Sequence, residues 1–153
     1  MNIFILDSDP VKAAQYLCDK HIVKMCLETA QLLSTISNGP YKPTHANHPC
    51  TIWARETLGN YRWLVVHGIA IGDEYQYRYG KEHKSMEVIK SCIAYRPNES
   101  LVVTPFAMAM PEQYRKFDAV EAYRDYYMSK RAFCDWTKRE YPEWSLERLD
   151  ELG

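Results

Sequence analysis

Between Ala14 and Leu32 the sequence writes a helical stripe whose centre is polar. At about 100° per residue, Ala14, Leu17, His21, Met25, Glu28 and Leu32 fall within a narrow arc, with Lys24 and Gln31 along one edge. An apolar arc buries itself against its neighbours, and it carries Glu28 toward the core or the wall of a cleft. Burying a carboxylate without partners is costly, so Glu28 is paired, protonated or lining a wet pocket. Two readings stand on periodicity: a satisfied pair with His21 or Lys24, or a catalytic carboxylate with His21 and Lys24 as its helpers.

The punctuation around this stripe sets the rest of the fold. Residues 2–6 alternate as a short strand or extended arm, and Asp9-Pro10 supplies an N-cap followed by proline at the first helical position. One helix is expected from about residue 10 to about 36, stopping before Asn38-Gly39-Pro40. Pro43 and Pro49 keep Tyr41 to Pro49 a loop. A second helix begins near Pro49 and pauses at Gly59-Asn60, where Asn60 caps a third that runs to about Tyr79 and ends at Gly80. A shorter amphipathic set spans Lys84 to Tyr95. Residues 96–117 hold three prolines and little periodicity, and they read as a long surface excursion. Asp118 caps a last clear helix through Phe133, and the acidic tail from Tyr141 forms a short helix or a frayed end. The expectation is an all-α, compact single-domain helical bundle over residues 1–153 with a short extended N-terminal arm.

Composition removes whole classes of function. No apolar run approaches a membrane span, and the five apolar-leaning residues before Asp7 are too few for a signal peptide, so a cytoplasmic protein without membrane contact is expected. The five cysteines, at 18, 26, 50, 92 and 134, are odd in number and form no C-x-x-C pair, which suits reduced thiols. Cys18 and Cys26 read first as small buried hydrophobes, with a catalytic thiol as the alternative. Twelve tyrosines and four tryptophans against four phenylalanines offer either stacking faces for bases or polar-tipped margins to a core. There is no P-loop, dinucleotide fingerprint, Ser-His-Asp pattern or carboxylate-rich metal motif, and no cofactor is called for.

Two further segments carry candidate chemistry. In the 41–49 loop, His45, Asn47 and His48 are suited to phosphate or base recognition, and Arg55 just beyond could hold a phosphate bidentately; the alternative is loop-stabilising hydrogen bonds. The two histidines have no third ligand at a defined spacing, so no metal is assigned. From Glu74 to Ser85 the chain is basic and aromatic, and Arg78, Lys81, His83 and Lys84 form a candidate phosphate site; the alternative is a solvated helix end with dipole-favoured cations. Both segments are expected to line one pocket with Glu28.

The run Asp19-Lys20-His21-Ile22-Val23, with Glu28 seven residues after the histidine, resembles the pyrimidine-dimer DNA glycosylase family of the phage endonuclease V type. Weaker similarity continues in His48-Pro49, Trp53, Tyr61, Leu64, Glu74 and Arg78-Tyr79-Gly80, and in the aromatic and basic run from Tyr123 to Lys130. The resemblance implies a helical domain that accommodates a flipped nucleotide and breaks its N-glycosidic bond. It further implies a terminal amine that attacks the sugar C1′ to form a Schiff base, with the helix glutamate, Glu28 here, handling protons and stabilising the charged sugar. Asn2 is a poor context for methionine trimming, so Met1 is expected to remain. Leu27 and Gln31 stand where the family has phosphate-gripping arginines, and the formal net charge is −1. Duplex contact should therefore rest on a small patch, Arg78, Lys81, Lys84, Arg124 and Lys130, with a shallow salt slope. The expected partner is nucleic acid, met as a DNA glycosylase and AP-lyase-like enzyme; the alternative is a phage-type protein that binds or degrades a small nucleotide or nucleotide-derived signal.

Overall fold

The computed structural model describes the backbone of residues 2–152 and the side chains of residues 2–148. The described residues are all-α: α1 Pro10–Tyr16, α2 Asp19–Ser37, α3 Pro49–Glu56, α4 Leu58–Tyr79, α5 Met86–Ser91, α6 Ala119–Met128 and α7 Glu143–Leu152, with single 3-10 turns at Glu112–Tyr114 and Arg131–Phe133. Helix α4 is the central element, with α1, α2, α3 and α5 all packed on it. The expectation about Met1 concerns a residue outside those described.

The arm forms neither helix nor strand. Ile3, Phe4, Ile5 and Leu6 are all buried, so it is a core element. Each such side chain contributes about 1.5–3 kcal/mol of burial. Phe4 adopts φ 53°, a left-handed backbone that bulky residues avoid, and its ring lies stacked on His21 at 4.4 Å and edge-on to Tyr127 at 5.5 Å. Asn2 pins the beginning of the arm: its Oδ1 accepts from the Ile3 and Phe4 amides at 2.7 and 2.9 Å, and its Nδ2 donates to the Ala109 carbonyl at 2.6 Å.

The expected helix from 10 to 36 is two helices. Asp9 caps α1 as read, accepting from the Val11 and Lys12 amides. Leu17 and Cys18 are then extended, and α2 starts afresh at Asp19. Tertiary partners stabilise the break where propensity would have continued the helix. Arg78 donates to the freed carbonyls of Gln15 and Leu17 at 3.0 and 2.8 Å, Tyr127 Oη accepts from the Cys18 amide at 2.9 Å, and the Asp135 carbonyl accepts from the Asp19 amide at 2.7 Å.

A second boundary also moves. Helix α4 begins at Leu58, with Thr57 as its cap accepting from the Asn60 amide at 2.9 Å, so Asn60 is not a cap. The Asn60 amide instead lies fully buried and holds the excursion. It donates to the Trp53 carbonyl and to Thr104 Oγ1, both at 2.8 Å, and accepts from the Thr104 amide at 2.9 Å. Gly59 is small because that excursion lies on it: a Cβ there would stand 2.4 Å from the Leu101 carbonyl oxygen. Residues 96–117 otherwise follow the expected irregular course. Asp118 caps α6, which ends at Met128 rather than continuing to Phe133. Tyr61, Tyr123 and Tyr127 are among the largest fully buried side chains, so much of the tyrosine inventory belongs to the core, each hydroxyl spent on an internal tether.

Candidate active site

On α2 the wheel from Leu27 and Gln31 through Lys24 to Glu28 and His21 is a strip that never becomes fully buried. One side of it is bounded by the loop Tyr41 to His48, the other by the N-terminal arm stacked on His21. The loop is fastened by Thr35, whose Oγ1 donates to the Thr44 carbonyl at 3.1 Å and accepts from its amide at 3.0 Å. Thr51 Oγ1 donates to the His45 carbonyl at 2.9 Å, holding His45 at φ 51°. Arg55 donates to the Ala46 carbonyl, so it braces this loop. Between α2 and the loop lies a cleft of about 510 Å³ lined by Leu27, Gln31 and residues Tyr41 to His45. His45 and Asn47 are exposed above it, and Lys24 is exposed on the helix one turn before Glu28.

Glu28 is half-buried, and its Oε2 is shut off from solvent. His48 shares its surroundings: the carboxylate is among the charges acting on that imidazole. His48 Nδ1 accepts from the Cys50 amide at 3.1 Å, capping α3 and leaving the neutral ring's proton on Nε2. Burial lowers the pKa of His48 first, the positive amino terminus and His45 lower it further, and Glu28 opposes them. At neutral pH His48 is therefore an uncharged hydrogen-bond donor beside a carboxylate.

The expected single pocket separates at Arg78. Its side chain is fully buried and wholly committed: Nε donates to Glu74 at 2.9 Å, Nη1 to Asp19 and the Leu17 carbonyl, and Nη2 to the Gln15 carbonyl. Arg139 completes the cluster with bonds to both Glu74 oxygens at 2.8 and 2.9 Å, and Asp19 accepts from Thr137 through both of its oxygens. Arg78 is thus corrected from phosphate ligand to structural hub, because every nitrogen of its fork already has an internal acceptor. Arg124 is likewise internal, donating to the Leu6 carbonyl and pairing with Asp7 to hold the arm. His83 docks on α2, its Nε2 3.0 Å from the Val23 carbonyl, while its Nδ1 accepts from the Ser85 amide. Tyr41 Oη lies 3.1 Å from Ser85 Oγ, which joins this turn to the loop. Lys81 and Lys84 are exposed beside it.

His21 faces the arm. Its Nδ1 lies 2.7 Å from Tyr127 Oη, a hydroxyl that also donates to Cys18 Sγ at 3.2 Å. Read along the sequence, Tyr127 is one member of an aromatic run and Cys134 has no role of its own. Both sit far from His21 along the chain, and no local pattern announces their meeting.

Comparison with known proteins finds a match between residues 1–88 and the family model described as pyrimidine dimer DNA glycosylase. No curated protein matches, and no solved structure matches. Among the described residues, no helix is long and apolar enough to cross a membrane.

Proposed function

We propose that this chain, which belongs to the pyrimidine dimer DNA glycosylase family and whose function is accordingly of the DNA glycosylase type acting on DNA, uses the α2 strip around Glu28 to cleave the N-glycosidic bond of a damaged or modified nucleotide. The observation that carries this assignment is Glu28, half-buried with one oxygen shut off from solvent, on the α2 strip left open between loop and arm, with its charge felt by His48 of the loop. A glycosidic bond breaks through an oxocarbenium-like sugar, and a carboxylate held out of bulk water stabilises that positive charge strongly. His48 Nε2–H supplies a donor for the departing base or an adjacent phosphate, with His45 and Asn47 as further donors on the loop and Lys24 as a nearby cation. His21 positions the arm by stacking on Phe4.

In this mechanism the nucleophile is the α-amine at the start of the mature chain, delivered by the arm that Asn2 anchors. Its nitrogen attacks C1′ as the C1′–N bond to the base breaks, the base leaves with one of the amine's two protons, and the C1′–O4′ bond then breaks with O4′ taking up the other, which yields the Schiff base. Glu28 carries those protons. Borohydride trapping on lesion-bearing and undamaged duplexes, with intact-mass analysis of the N-terminus, tests the proposal. A covalent DNA adduct at residue 1 or 2, lost in Glu28→Gln, supports it; an adduct elsewhere, or equal trapping by Glu28→Gln, contradicts it.

A second assignment rests on the 510 Å³ cleft beside Leu27 and Gln31, which offers Lys42, Thr44 and His45 to a ligand on a chain of net charge −1. A free nucleotide would need no more than that. A nucleotide panel that raises the melting temperature while lesion DNA goes uncleaved would favour this binding role.

A further inference from the structure

The start of α2 carries a second cluster that the Glu28 chemistry leaves unused. Cys18 is the residue before α2, and only 1% of it is exposed. Tyr127 Oη donates to its sulfur at 3.2 Å and accepts from its amide at 2.9 Å. With that hydroxyl proton on sulfur, His21 Nδ1, at 2.7 Å, serves as donor to the same oxygen. The imidazole thus polarises the hydroxyl toward the thiol. Cys134, half-buried after the Arg131–Phe133 turn, reaches the Lys130 carbonyl at 3.3 Å, and the Asp135 carbonyl next to it accepts from the Asp19 amide next to Cys18 at 2.7 Å. Two thiols from opposite ends of the chain are therefore brought to one place. Both line a cleft of about 330 Å³, together with Lys20, His21, Ser129, Lys130 and Phe133.

Two of the buried thiols are chemically quiet by comparison. Burial pushes Cys26 up to about 12 and Cys50 up to about 11. Cys18 moves the opposite way: the neighbouring Cys134 thiol lowers it most, and His21 and Tyr127 add to that against burial. A thiolate-favouring site with a second sulfur lining the same cleft has the parts of a redox pair.

We propose that Cys18 and Cys134 form a peroxide-reactive dithiol, a modification site where a hydroperoxide entering the cleft converts the two thiols into a reversible disulfide. In the first step the Cys18 sulfur attacks the peroxide, an S–O bond forms, the O–O bond breaks, and the departing oxygen takes the thiol proton as water or alcohol. In the second step the Cys134 sulfur attacks the Cys18 sulfenic acid, the S–S bond forms, and the S–O bond breaks. The hydroxyl leaves with the Cys134 proton as water. The thiols lose two electrons and two protons in all, and the hydroperoxide is the species reduced. The disulfide staples the 131–137 segment to the start of α2, beside the His21–Phe4 stack.

Treating the full-length chain with equimolar hydrogen peroxide, then blocking with N-ethylmaleimide under denaturing conditions and mapping peptides, tests this directly. The expected map links Cys18 to Cys134, leaves Cys26, Cys50 and Cys92 alkylated, and returns all five alkylated cysteines after dithiothreitol. In Cys134→Ser the reaction should halt at a Cys18 sulfenic acid that dimedone captures. Five alkylated cysteines after peroxide, a disulfide with a different partner, or no Cys18 adduct in the Cys134→Ser chain overturns the proposal. The wild-type map decides the matter even if that variant fails to fold.

Discussion

Glu74 and Glu28 are carboxylates drawn inward from solvent on neighbouring helices, and the protein surrounds them in opposite ways. Glu74 sits 4% exposed between two guanidiniums that donate three bonds to it, and Arg78 spends its remaining donors on Asp19 and two backbone carbonyls. Glu28 stands in an open strip beside a neutral imidazole and a threonine-pinned loop. The difference separates a charge that organises the fold from one retained for chemistry. A carboxylate neutralised by two guanidiniums has its charge spent inside the fold, whereas one on a half-open strip keeps its field where a substrate cation would form.

The contrast breaks most severely at the closed end. Arg78→Ala strands two carbonyls in the core and leaves Glu74 with Arg139 alone, and it should lower unfolding free energy by about 3–5 kcal/mol in urea titrations. Arg78→Lys should recover little, because an ammonium cannot reproduce the planar fork. An Arg78→Ala chain that kept its stability but lost DNA affinity would restore Arg78 as a phosphate ligand.

At the open strip the effect should fall on rate instead. Glu28→Gln is expected to cut base excision by about 10²-fold or more. Its unfolding free energy should change by no more than about 0.5 kcal/mol, the range of substitutions outside the core. Glu74→Gln should show the reverse pattern: clear destabilisation, with the excision rate of the folded fraction preserved. Similar profiles for the two variants would erase the distinction.

Acid should loosen the packed interior. His67 is completely buried against Trp63, its Nδ1 2.9 Å from the Pro10 carbonyl, and burial lowers its pKa to about 4. The folded state therefore binds its proton less readily than the unfolded chain. Stability present above about pH 6.5 is lost progressively as pH falls toward about 4, to a total of about 2–3 kcal/mol, and His48, also lowered, adds in the same direction. Denaturation midpoints for wild type and His67→Phe between pH 7 and 4 measure this, the variant being the flatter of the two.

The smallest effect sharpens the open side. Replacing Leu27 or Gln31 by arginine adds one cation to the cleft without touching the core. Each change should steepen the salt dependence of duplex binding by about 0.9 in log–log slope. Unchanged slopes would mean that DNA does not pass over this edge of α2.

The boundaries written by local chemistry are legible in the sequence: Asp9-Pro10 starting α1, the stop at Asn38-Gly39-Pro40, Asp118 capping α6 and Gly80 at φ 74° ending α4. The break at Leu17-Cys18 is not. Nothing near it breaks a helix, and its freed carbonyl is satisfied by an arginine some sixty residues away. The candidate site divides the same way. Glu28 stands out because it interrupts an apolar period, and His48 because it is one of three hydrogen-bonding side chains grouped in the 41–49 loop. Arg78 resembles a phosphate ligand because sequence records a charge and not its acceptors, while Cys134 has no local signal at all.

Neighbouring residues are enough to dictate the helical class, the caps, the polar interruption of α2 and, through residues 1–88, the family. Each rests on interactions within a turn or two, or on a pattern repeated along one helix face, and such information is local to the chain. Which charges are spent is settled only by packing. Whether a guanidinium, a carboxylate or a thiol remains available depends on the groups that other helices bring within about three ångströms, the reach of a hydrogen bond. In a compact core those groups come from anywhere in the chain, and a buried charge left without them is too costly to keep.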